Sequence, residues 1–292
     1  MKIALGTAQF GLNYGVTNNA GKVSAQEASK ILNYASEQGI CTLDTAPAYG
    51  DSETVLGNIS ALSKFDVITK IPSLKASQSS ISQIVTNSIH ILKRPFLDAV
   101  LFHDADDLLN SHASHNFAQA VSLKEQGKIA KIGVSVYSPE QLFRICEQFP
   151  IEIVQVPFNC FDQRFSAADC LALYDKLNIE VHARSIFLQG ALLADFETLP
   201  EHFRPFSAEF ARFSSVCQQL NCAPISLALA IIYKFDFINR AVIGVCAQSQ
   251  LSDILNHHNE ALELANLNVI DFEMLKSHNL ALINPATWPI KA

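Results

Sequence analysis

Short apolar runs alternate along the chain with helix-length amphipathic segments. The runs begin at Lys2 (KIALGT), Ile40 (ICTLDTA), Phe65 (FDVITKI), Phe96 (FLDAVLFHD), Lys128 (KIAKIGVSVYS), Ile151 (IEIVQVPFN), Ile179 (IEVHARSIF) and Arg240 (RAVIGV). They are nearly continuous in Val, Ile, Leu and Ala, the pattern of parallel strands covered on both faces. Between them the apolar positions fall at helical spacing. Ala28, Ile31, Leu32 and Ala35 make one face, with Ser24 as N-cap and Glu27 three residues later. Ile81, Ile84, Val85, Ser88, Ile89 and Leu92 make another. Leu142, Ile145 and Cys146 follow a Ser138–Pro139 start, where proline suits the first helical turn. Eight strand–helix alternations with no break in composition predict an α/β fold, a single (β/α)8 TIM barrel forming one domain over residues 1–292. The longest interruption, about Gly190 to Pro224, predicts a loop and an extra helix over the C-terminal face, and the tail after Leu251 predicts another.

Composition supports burial on this scale. Of 292 residues, 49% are hydrophobic and only 17% charged, which excludes general disorder. The net charge of −7 leaves no electrostatic footprint for nucleic acid or an anionic membrane surface. The longest apolar stretch, Ile225 to Tyr233, is too short to span a bilayer and reads as a buried helix. The N-terminal MKIALGTAQF turns polar too early for a signal peptide. Seven cysteines without a CxxC pair suggest free thiols in a reducing cytoplasm.

In a parallel barrel the active site forms at the C-terminal ends of the strands. Asp44, Tyr49, Lys70 and His103 all fall at or just after the ends of consecutive runs. A buried lysine is costly unless paired, and Asp44 is its nearest partner. A tyrosine titrates near ~10, too high for ready proton exchange at neutral pH, and a neighbouring ammonium would lower it. Such a group suits protonation of a carbonyl oxygen while a nicotinamide or flavin delivers hydride.

These residues lie in motifs that resemble the aldo-keto reductase superfamily, and the resemblance spans nearly the whole chain. The segment LDTAPAYGDSETVLG, Leu43 to Gly57, is similar to the family's Asp-Thr-Ala-x-x-Tyr-Gly-x-Ser-Glu pattern, with Lys70 in VITKI and His103 in LFHD at the two remaining positions. The resemblance implies an NAD(P)H-dependent reductase of aldehydes or ketones with a catalytic tetrad of Asp44, Tyr49, Lys70 and His103. Tyr49 would be the acid/base, Lys70 would tune it, Asp44 would hold Lys70, and His103 would orient the substrate carbonyl. NADPH is the family's default cofactor and NADH the other candidate. Its contacts would be Gly6, Thr7, Asp44, Ser135, Gln155, Arg184, Ser185, Gly244, Gln250 and Asp253. Three positions depart from the family pattern. Val136 replaces an amide. Arg184 stands where an aromatic usually stacks on the nicotinamide, and guanidinium planes also stack. Cys246 and Ala247 stand where many relatives carry Ser, Lys or Arg for a 2′-phosphate. Gln9, Phe10, Tyr14 and Trp288 are candidate walls of the substrate mouth, Trp288 alternatively pinning the tail to the barrel. The expected partner is a small carbonyl compound, with no nucleic acid and no membrane.

Other readings of the same residues are weaker. His112 and His115, or His257 and His258, lack a third ligand at suitable spacing, so no metal is expected. Asp104, Asp106 and Asp107 lie within one loop, which suits a helix N-terminus better than two carboxylates flanking a glycosidic bond. The alternative to an enzyme is a catalytically weak NADP(H)-binding regulatory or scaffolding subunit on the same barrel.

Overall fold

The computed structural model describes residues 1–76, 79–267 and 270–289. Eight parallel strands close into one barrel in sequence order. They are β1 (Ile3–Gly6), β2 (Thr42–Asp44), β3 (Asp66–Ile71), β4 (Leu97–Phe102), β5 (Ile129–Ser135), β6 (Ile153–Pro157), β7 (Glu180–Arg184) and β8 (Ile238–Gly244). Closure is made by β1 on β8, with Gly6 opposite Gly244. Every strand run read from the sequence forms a strand. The eighth starts two residues before Arg240, and it alternates between buried and exposed positions where continuous burial was expected.

The helices follow as α1 (Ala8–Gly11), α2 (Ala25–Glu37), α3 (Ser52–Gly57), α4 (Ile81–Ile91), α5 (Ala113–Glu125), α6 (Pro139–Cys146) and α7 (Ala168–Leu177). Between β7 and β8 lie α8 (Ser207–Leu220) and α9 (Pro224–Lys234), and after β8 come α10 (Gln248–Asn256), α11 (His258–Asn266) and α12 (Leu280–Ile283). The caps read from the sequence at α2 and α6 are present, although Glu27 accepts from Gln248 N at 2.9 Å rather than closing a capping box. The Ser24 hydroxyl accepts from Glu27 N at 3.2 Å. Ser80 and Gln83 form a reciprocal capping box at α4, and Ser138 caps α6 with Pro139 in its first turn. The apolar run Ile225–Ile232 is wholly buried within α9. Among the described residues no single helix is long and apolar enough to cross a membrane.

Side chains alternate across a strand with a period of two. Ile68 on β3, Ala99 and Leu101 on β4 and Ile153 on β6 form a small apolar cluster separate from the main core. Two residues further along the same faces come Lys70, His103 and Gln155. The apolar cluster is therefore the floor on which the polar residues of the upper barrel stand.

Candidate active site

The polar layer begins with Asp44, the last residue of β2. Its Oδ1 accepts from Lys70 Nζ at 2.6 Å and its Oδ2 accepts from Gln155 Nε2 at 2.7 Å. Lys70 donates also to the Thr45 carbonyl at 3.0 Å. All three side chains are buried to within 2% exposure. Two buried charges are tolerated here because each is paired and hydrogen-bonded. The sequence paired Asp44 with Lys70; it did not reveal Gln155 as the second partner, because β2 and β6 meet only across the barrel lumen.

Tyr49 lies in the turn between β2 and α3, and its backbone is clamped from two sides. Gly11, at the end of α1, passes so close that a Cβ there would lie 1.7 Å from the Tyr49 carbonyl oxygen. Gly50 adopts φ +58°, and a Cβ on it would come within 2.4 Å of Gly11 O. Below this contact, Ser52 Oγ donates to Thr7 O at 2.9 Å and lies 2.9 Å from Thr7 Oγ1, while Thr7 Oγ1 donates to Asp44 O at 3.0 Å. Glu53 is buried and accepts from Thr69 Oγ1 at 2.6 Å and Ser88 Oγ at 3.0 Å, tying α3 to β3 and α4. The Ser-Glu end of the tyrosine motif thus fixes the loop, and burial raises the Glu53 carboxyl above its ordinary range.

His103 follows β4 directly, and its ring meets Tyr49 edge-on with centroids 6.0 Å apart. The Lys70 ammonium faces the Tyr49 ring 4.8 Å from its centroid. Burial pushes the Tyr49 hydroxyl well above its usual range, the Asp44 carboxylate adds to the rise, and the Arg184 guanidinium opposes it. Lys70 is held by Asp44 and Thr45 O, and Arg184 is a second cation that favours the Tyr49 phenolate, one the sequence reading did not assign to that role. Burial, with the Lys70 charge behind it, lowers His103 to about 4, so its imidazole is neutral near pH 7. Burial also lowers Lys70, against the pull of Asp44.

Tyr49, His103 and Asp44 open onto a cavity of about 850 Å³ across the barrel mouth. Gly6, Thr7, Ser135, Gln155, Arg184 and Ser185 border it near the tetrad, while Gly244, Gln250 and Asp253 border it at the β8–α10 side. Gln250 Oε1 accepts from Cys246 N at 2.7 Å, closing the β8–α10 loop on itself. Asp253 lies 3.8 Å from His257 Nε2. Arg184 lays its guanidinium 4.3 Å from the Tyr137 ring centroid, and its Nη2 donates to Val136 O at 3.4 Å. Val136 itself is fully buried.

Of the expected substrate walls, Gln9 and Tyr14 line this cavity. Phe10 does not; it points into the core with no exposed surface. Helical geometry accounts for the split, since neighbouring Gln9 and Phe10 on α1 are turned about 100° from each other. Trp288 does not line the cavity either. It packs 5.0 Å from the Phe203 ring and donates from its indole nitrogen to Leu282 O at 3.2 Å, so it pins the tail beside the segment preceding α8. Tyr137 and Gln189 are cavity walls that sequence reasoning missed, Gln189 reaching the Tyr14 hydroxyl at 3.3 Å. The loop that carries Gln189 has positive φ at Ser185, Leu188 and Gln189, a path that no periodicity announces. Asp104 caps a short 3-10 turn through Asp106 N at 3.0 Å, as its helix-start reading requires.

Comparison with known proteins gives the family and the fold. The model of the Aldo/keto reductase family matches residues 2–279. The aldo-keto reductase YhdN of Bacillus subtilis is 29% identical over 177 residues, covering 56% of this chain and 51% of that protein. Thus the matched region spans about half the length of that relative. The D-arabinose 1-dehydrogenase of Saccharomyces cerevisiae is 26% identical over 266 residues, covering 78% of this chain and 75% of that protein. Among solved structures, the glycerol dehydrogenase of Gluconobacter oxydans superposes with a TM-score of 0.67 at 23% identity, covering 92% and 94% of the two chains. The holo form of an aldo-keto reductase from Bacillus halodurans gives a TM-score of 0.70 at 17% identity, covering 90% and 91%. At these identities the structures speak for the fold. With a closed eight-stranded barrel, a buried Lys–Asp pair under a loop tyrosine and a family match over nearly its whole length, the chain belongs to the aldo/keto reductase family.

Proposed function

We propose that the chain is an NAD(P)H-dependent reductase that converts an aldehyde or ketone to an alcohol, with Tyr49 giving its proton to the carbonyl oxygen. The placement of Tyr49 carries the proposal: it stands at the cavity, over the Lys70–Asp44 pair and beside His103. Its raised pKa keeps the hydroxyl protonated, the form a donor needs. Neither the Tyr49 hydroxyl nor the His103 imidazole has a hydrogen-bond partner among the described residues, so both remain available to one substrate oxygen. A neutral His103 can donate an N–H to that oxygen without bringing a charge that would compete for the proton. As the proton leaves Tyr49, the cations Arg184 and Lys70 stabilise the phenolate left behind.

The cavity fits an extended dinucleotide, its volume lying within the ~300–1,000 Å³ common for ligand sites. When bound, NAD(P)H supplies the hydride. Gly6, Thr7, Ser135 and Gln155 would hold the nicotinamide end, and Ser185 would stand near the pyrophosphate. Gln155 gives its amide nitrogen to Asp44, which leaves its carbonyl oxygen for the carboxamide. Arg184 would border the ring in place of a stacking aromatic. Gly244, Gln250 and Asp253 would hold the adenosine end. NADPH is the cofactor the family reading names, and NADH is accepted as well, because no lysine or arginine of the described residues lines that end. We place the enzyme in the cytoplasm, in accord with seven unpaired cysteines.

Steady-state oxidation of NADPH and of NADH against a panel of aldehydes and ketones tests the proposal. Turnover on some carbonyl is the expected result. Tight cofactor binding without turnover on any of them would favour the regulatory or scaffolding alternative.

A further inference from the structure

The charges on the cavity wall are few and unequal. Among the described residues only Asp44, Asp253 and Arg184 carry formal charge there, with His103 neutral. Asp44 is compensated by Lys70, buried beneath the cavity. Asp253 stands at the β8–α10 side, its side chain 67% exposed and next to His257. Arg184 has no such compensation. Half-buried, it rests its face on Tyr137 and gives one nitrogen to a backbone carbonyl, and it takes part in no ion pair among the described residues. Of the other half-buried arginines, Arg164 grips Asp162 through two bonds of 2.8 Å and Arg94 reaches Asp98 at 3.2 Å, while Arg240, outside the cavity, is held by hydrogen bonds to Thr42 and Asn239.

An uncompensated guanidinium in a half-buried cleft is costly, and a ligand that brings a negative charge removes the cost. Arg184 is also held ready. Its neighbour Ser185 is fixed at φ +63° and its backbone carbonyl accepts from Asn159 Nδ2 at 3.1 Å. Two anions could meet it: the cofactor's pyrophosphate or a group on the substrate. Position favours the substrate. The Arg184 charge acts on Tyr49, His103 and Tyr14, the groups around the transferable proton, and Gln9, Tyr14, Tyr137 and Gln189 complete that end with uncharged polar surface.

We propose that the substrate is a carbonyl compound carrying an anionic oxygen group, a carboxylate or a phosphate, which Arg184 binds beside Tyr49. This rests on the carbonyl-reductase reading above and narrows its substrate class. A guanidinium fork suits both groups through paired N–H···O bonds.

The test compares matched carbonyls on the cofactor-loaded enzyme: para-carboxybenzaldehyde against benzaldehyde, and glyceraldehyde phosphate against glyceraldehyde. The charged member of at least one pair should show kcat/KM at least ~10-fold higher, the scale of one charge-assisted hydrogen bond. That preference should collapse toward unity in Arg184→Gln and survive in part in Arg184→Lys, with thermal unfolding confirming both variants folded. No preference in either pair overturns the proposal. So does a loss of NADPH affinity in Arg184→Gln with the preference intact, which assigns the guanidinium to the pyrophosphate. If no carbonyl is turned over, the reductase reading fails by itself. Calorimetric titration of the NADP⁺-saturated protein with para-carboxybenzyl alcohol and benzyl alcohol then decides. Tighter binding of the acid, lost in Arg184→Gln, sustains the proposal, and equal binding overturns it.

Discussion

The two sides of the barrel mouth are built differently. On the β2–β4 side, Asp44, Lys70 and the Tyr49 loop are joined by bonds as short as 2.6 Å and almost nothing of the pair is exposed. On the β7–β8 side, Arg184 ends β7, Ser185 follows it, and Gln250 and Asp253 lie in the first turns of α10; their ties are fewer and they are partly open to solvent. In the proposed function, the first side would fix what is done to a carbonyl, and the second which molecules reach it. Chemistry tolerates little displacement, so its groups are tied by short buried bonds; selection is left to the more open side.

Breaking the β2–β4 side should therefore be severe, and Tyr49→Phe should be worst for activity. It removes the proton while leaving the ring against His103 and Lys70. Turnover is expected to fall by ~10²–10⁴, with cofactor affinity and unfolding midpoint nearly unchanged. Single-turnover kinetics of the variant check this, and wild-type-like rates would reject the role of Tyr49.

Lys70→Met should act mainly on stability. It strands the buried Asp44 carboxylate with only Gln155 as side-chain partner, a loss on the order of 3–5 kcal/mol. Denaturant titration reads it directly. A loss below ~1 kcal/mol would mean that the pair is far better solvated than its burial implies.

These two residues also mark how far the sequence could be read. The barrel was legible because strand burial and helix periodicity repeat eight times. Asp44, Lys70 and His103 were legible because a strand delivers its last residues to a known face. Gln155 as the partner of Asp44 was not, since contact across the lumen depends on closure rather than on spacing. Phe10 was misplaced, and of the two readings of Trp288 the tail-pinning one holds, for a related reason: position in the chain brings a residue near the mouth, but the turn that orients α1, and the packing of the tail on Phe203, decide where the side chain points. The Ser52 and Glu53 anchors were visible in the motif while their structural work was not.

His103 sharpens the comparison through pH. Its pKa is lowered to about 4, so between ordinary histidine values and that point the unfolded chain binds a proton that the folded one refuses. Stability is then complete above pH ~6.5 and declines as the pH falls toward about 4, by at most on the order of 3 kcal/mol. His103→Gln should remove this share of the decline. Unfolding midpoints of the two proteins across that window should converge toward acid; parallel curves would contradict the burial argument.

The smallest effect belongs to the β7–β8 side. Gln250→Ala removes the acceptor for Cys246 N and opens the β8–α10 loop. Because that nitrogen is exposed, water can replace the lost bond, and stability should change by only ~0.5–1 kcal/mol. Cofactor affinity should weaken several-fold, while turnover at saturating cofactor stays near the wild-type rate. Equilibrium binding of NADPH together with saturating kinetics separates the two quantities. A fall in turnover as large as that in affinity would mean that the loop also sets the geometry at Tyr49, and the division between the two sides of the mouth would have to be given up.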